Sequence, residues 1–86
     1  MSELCRFYGI IIRMYYGDHP PPHFHVQYGE YTAKVTIETL ALLRGYLPGR
    51  ALGLVVEWAS LHREELRARW HAAENHEELL RIEPLP

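Results

Sequence analysis

The sequence predicts an α+β fold: an antiparallel sheet of three to four strands, with one long C-terminal helix packed on one face. Three observations carry this. Up to Glu38 the chain alternates at the period of a strand and is rich in β-branched and aromatic side chains. The prolines at 20, 21 and 22 and the pair Gly29-Glu30 break that half into segments suited to antiparallel pairing. After Pro48 the apolar residues change to helical spacing and keep it to about Glu74.

Phe7–Tyr16 reads as the first strand, with Tyr8, Ile10, Ile12, Met14 and Tyr16 in one nonpolar row and Arg13 in a mixed row opposite. The three prolines cannot donate ladder hydrogen bonds, so they end that strand in an extended connection. Phe24–Tyr28 and Tyr31–Glu38 then form a hairpin, because a two-residue Gly-X loop suits a type II′ turn. That loop sets a register. Tyr28 faces Tyr31, Val26 faces Ala33 and Phe24 faces Val35 on the core side, while Gln27, His25 and His23 face Thr32, Lys34 and Thr36 on the polar side. A short strand is expected within Leu43–Tyr46. The helix from about Gly49 to Glu74 gathers Ala51, Leu54, Val55, Trp58, Ala59, Leu61 and Leu66 on one side, with Asn75 as its stop. "LLRIEPLP" reads as a final short strand or extended tail.

With 86 residues, 48% of them hydrophobic and 23% charged, the chain is expected to make one folded domain around a modest core. Its net charge of −2 does not support nonspecific nucleic-acid binding, which draws on a surplus of Lys and Arg. The single cysteine, Cys5, excludes an intrachain disulfide and reads as a buried or incidental thiol. "MSELCRFYG" lacks a signal-peptide pattern and the apolar runs are far shorter than a membrane span, so a cytoplasmic protein is expected.

The stretches "RFYGIIIRMYY", "DHPPPHFHVQY", "LPGRALGLVVEWASLHREELRARW" and "IEPL" together resemble the bacterial family catalogued as domain of unknown function 4160. The resemblance implies a small stand-alone bacterial protein, often encoded beside another small domain in a toxin–antitoxin-like arrangement, and brings no established activity. The family's recurring histidines correspond to His19, His23 and His25, and its Trp-Ala-x-Leu-His segment to Trp58–His62.

The candidate sites follow from residue chemistry. His23 and His25 share one face of a strand, so they can offer two imidazoles to a divalent metal, with Asp18 or His19 as a third ligand. The ordinary alternative is that both imidazoles hydrogen-bond to neighbours or water. Arg13, His23, His25, Lys34 and Thr36 form a donor-rich sheet face able to bind phosphate, carboxylate or RNA backbone. His62 and Arg69 lie on one helix line and either bound the core or reach towards the proline loop, and Trp70 either packs on the tail or anchors a partner. Two functions are open on these grounds. One is a non-enzymatic binding module with a protein partner or a second copy of itself, needing no cofactor. The other is a small metal- or His-dependent hydrolase, such as a ribonuclease, centred on His19, His23 and His25.

Overall fold

The computed structural model describes residues 2–86. Five strands, β1 (Ser2–Phe7), β2 (Ile10–Met14), β3 (His23–Tyr28), β4 (Tyr31–Thr36) and β5 (Leu42–Gly45), form one antiparallel sheet in sequence order. Two helices follow, α1 (Gly49–Leu61) and α2 (Arg63–Glu74). The α+β class is as expected. The count of three to four strands and the single long helix are corrected to five strands and two helices.

The extra strand is Ser2–Phe7, which ends where the run read as one strand, Phe7–Tyr16, begins. Tyr8 and Gly9 both take positive φ (50° and 81°), which closes a two-residue hairpin with Phe7 opposite Ile10. Two such residues suit a type I′ turn, and Gly meets the second position without strain. Ser2–Phe7 therefore pairs with β2 instead of fraying. The register slips at Leu4, between Glu3 and Cys5, and this bulge leaves both Leu4 and Cys5 buried. Burial pushes the Cys5 thiol pKa up, as for an inert core cysteine.

The β3–β4 hairpin has the expected register at all six pairs, with Gly29 at φ 58°. Ile10, Ile12, Met14, Phe24, Val26, Ala33 and Val35 are buried on the face covered by α1, where Trp58 packs against Phe7 and, edge to face, against Phe24.

The helical run breaks at His62, whose φ of −122° leaves the helical region. His62 Nδ1 lies 2.6 Å from Glu65 Oε1, a side-chain contact across the first turn of a new helix, and Glu64 and Glu65 favour that turn by their charge. Leu61, expected on the buried stripe, is exposed beside this break. The bend lets α2 cross the end of the sheet. Arg63 donates to the Ile37 carbonyl, Arg67 pairs with Glu38, and Trp70 packs on His23.

After Asn75 the tail is extended but is not a strand. Ile82 N–H donates to the Leu4 carbonyl along the open side of β1, and Trp58 Nε1–H donates to the Glu83 carbonyl at 2.8 Å. Glu3 holds the tail from the other side, accepting from Arg6 and Arg81. Those two guanidinium hydrogen bonds lower the Glu3 carboxyl to about 2. Its folded value lies below its unfolded one, so its contribution is present above about pH 4.5 and is lost as pH falls towards 2. The expected result is that Tm falls less between pH 5 and pH 2.5 in Glu3→Gln than in the parent. Equal falls would show that these exposed pairs add nothing.

Candidate functional site: a basic sheet row and an Asp-His-His cluster

The face of the sheet opposite α1 carries the chemistry. Registers across the strands align Glu3, Arg13, His25, Lys34 and Arg44 as successive partners on β1 to β5. With strands about 4.8 Å apart, Arg13 and Arg44 stand roughly 15 Å from each other. Glu3 is engaged by Arg6 and Arg81. Among the described residues Arg13, Lys34 and Arg44 make no ion pair; Arg13 donates to the neutral Gln27 amide oxygen. Lys34 and Arg44 are therefore like charges directly opposite on neighbouring strands, an arrangement that destabilises a sheet by itself.

At one end of this face Asp18, His23 and His25 converge, each offering a donor atom within 4.8 Å of the others. His23 starts β3 and His25 follows two residues later, so both side chains leave the same face. The chain after β2 turns at Gly17, φ 73°, and brings Asp18 over them. His25 Nε2 lies 2.8 Å from Asp18 Oδ2 and donates to it. His23 Nδ1 lies 2.8 Å from the Pro21 carbonyl, an acceptor only, so that nitrogen carries the hydrogen. His23 Nε2 is then 3.2 Å from Asp18 Oδ2 without a hydrogen bond, in a residue 3% exposed.

Burial lowers the His25 pKa more than its bond to Asp18 raises it. For Asp18, burial acts upwards, but the His25 hydrogen bond and the nearby His23, His25 and Lys34 charges outweigh it and the value falls. Trp70 and Tyr15 shield the rings, with centroids 5.2 Å from His23 and 4.3 Å from His25. Asp18 also lines a cleft of about 270 Å³ together with Tyr15, Gly17, Trp70, Ala73 and Glu74. A larger cleft, about 480 Å³, lies between Tyr8, Tyr28 and Arg50 and contains none of these side chains.

The sequence model of the family described as Domain of unknown function (DUF4160) matches residues 9–71, most of the chain. The chain belongs to that family. No curated protein and no solved structure matches it. The matched DUF4160 region contains the whole cluster and the row from Arg13 to Arg44, while β1 up to Tyr8 and the tail lie outside it.

Several expected residues are arranged otherwise in this DUF4160 chain. His19 is exposed and is not among the converging donors. Thr36 is tied into its turn by Thr39 and the Ala41 N–H. His62 packs on Trp58, and Arg69 donates to the Leu80 and Arg81 carbonyls, so neither reaches towards the proline loop. Trp70 is buried against His23 instead of projecting as an anchor. Arg44 was not among the expected face residues. Its signal is Gly45, which marks where the chain must lie against β4. Among the described residues no helix is long and apolar enough to cross a membrane.

Proposed function

We propose that the chain is a non-enzymatic binding module that takes up an extended acidic segment of a partner protein, as in a toxin–antitoxin-like pair, along β5 and the adjoining basic row. The observation that carries this is the Lys34–Arg44 pair, two cations opposite one another with no carboxylate partner among the described residues. An anion removes the repulsion that the pair imposes on the free sheet.

The backbone favours the same reading. β1 has its open side occupied by the tail through Ile82, whereas β5 pairs only with β4. An added strand gains main-chain hydrogen bonds there, and the exposed Leu42, Leu43 and Tyr46 supply apolar contact. The net charge of −2 opposes a long polyanion such as nucleic acid more than a short acidic peptide. A second reading, a small His-dependent hydrolase, is favoured by the convergence of Asp18, His23 and His25 beside a cleft, although His19 does not join them.

The test is fluorescence anisotropy with a labelled alternating Glu-Val octapeptide, an alternating Lys-Val control and a single-stranded oligoribonucleotide. The acidic peptide should bind, weaken with added salt, and bind at least about tenfold more weakly to Lys34→Glu/Arg44→Glu. Tighter binding of the oligonucleotide, or a double variant that binds unchanged, would overturn the proposal. A stable dimer pairing through β5 would do so as well, because a second copy would then occupy the edge.

A further inference from the structure

We infer that Asp18, His23 and His25 form a binding site for a borderline-soft divalent cation such as Zn²⁺. This site stands independently of the proposed acidic partner.

His23 Nε2 carries the argument. Its ring is oriented by the Nδ1–H bond to the Pro21 carbonyl, so in the neutral ring Nε2 presents a lone pair. That lone pair is buried, has no hydrogen-bond partner, and faces a carboxylate oxygen at 3.2 Å. Two acceptors so close in a poorly hydrated place repel each other, and a buried polar atom without a partner is costly. A cation between them turns both defects into bonds. The same oxygen meets His25 Nε2 at 2.8 Å, so one ion can draw on all three side chains once His25 gives up its Nε2 proton.

The surroundings fit the chemistry of such an ion. Two imidazoles and one carboxylate suit Zn²⁺ and its neighbours in the first transition row, not the all-oxygen shells of Ca²⁺ or Mg²⁺. A backbone carbonyl accepting the far N–H of a ligating histidine is a recurring outer partner of such sites, and here Pro21 provides it. Trp70 and Tyr15 exclude water on the ring side, while Asp18 and His25 stay partly exposed, leaving a route for the ion and for further water or substrate ligands. Three protein ligands leave at least one position of a tetrahedral ion open, as in sites that bind or activate a small ligand.

Isothermal titration with Zn²⁺, together with visible absorption of the Co²⁺ complex, tests this on the intact chain. One ion per chain should bind, Co²⁺ should give a low-symmetry d–d spectrum, and His23 Nε2 should shift in ¹⁵N spectra. Asp18→Asn, which keeps an acceptor for His25, and His25→Gln should each weaken binding at least about tenfold with unchanged far-UV circular dichroism. His71→Gln, at an exposed histidine near Glu74, should leave it unchanged. No saturable binding, or binding that survives Asp18→Asn and His25→Gln, would overturn the site. A proton alone at His23 Nε2, seen as an imidazolium spectrum unaffected by Zn²⁺, would overturn it too. None of these outcomes depends on Lys34 or Arg44, so failure here is distinct from failure of the binding face.

Discussion

Trp58→Ala should destabilise the fold by about 3–5 kcal/mol, the range for deleting a large aromatic side chain from a core. Trp58 is fully buried, its ring lies against Phe7, Phe24 and His62, and its indole N–H holds the Glu83 carbonyl. The substitution therefore opens a cavity between β1, β3 and α1 and also unties the tail. Total stability for a small domain is only about 5–15 kcal/mol, so this variant stands near the limit of folding. At about 4 °C per kcal/mol, Tm should fall by at least about 12 °C.

Trp58→Phe separates the two effects. It keeps most of the ring and removes the donor, so it should cost only about 1–2 kcal/mol. Its amide exchange should rise first at Ile82, whose N–H bonds to Leu4 beside the released Glu83. Urea unfolding of both variants checks the pair. A cost for Trp58→Ala no larger than for Leu61→Ala, at an exposed position, would contradict the packing described.

Gly45→Ala should be the most damaging glycine substitution, by about 2–5 kcal/mol. Gly45 has φ 87°, where an L-residue meets a penalty of about 1–2 kcal/mol. An added Cβ would also fall on the Thr32 carbonyl oxygen and within 2.8 Å of Ala33 Cα. Both are backbone of β4, so β5 must move away, and overpacking of this kind costs about 1–3 kcal/mol more. Gly17→Ala and Gly29→Ala face only the φ penalty, since nothing lies within 4 Å of either added carbon. Hydrogen exchange should show the Gly45→Ala loss concentrated in Leu42–Tyr46, and acidic-peptide binding should weaken with it as Arg44 leaves the row. Similar losses for all three glycines would remove the close approach as the cause.

The hairpin from His23 to Thr36 was legible because period-two alternation and a two-residue glycine loop are local signals, and a loop of fixed length sets the register. The helix start at Pro48 and stop at Asn75 were legible for the same reason. Tyr8-Gly9 is a local signal too, but the apolar residues continue through it and conceal the turn. The break at His62 is less local. Neither Gly nor Pro marks it, and the bend is fixed by what α2 meets beyond it, namely Ile37, Glu38 and His23.

The site divides in the same way. From the sequence alone came the shared face of His23 and His25 and the pairing of His25 with Lys34, because both depend only on strand alternation and one turn. Tertiary structure alone brought Asp18 over the two imidazoles and left His19 outside, because the path of a loop is set by the elements it joins. It also placed Arg44 opposite Lys34 and buried Trp70 against His23. Periodicity tells which side of its own element a residue takes; which other elements face that side depends on how the whole chain closes around its core.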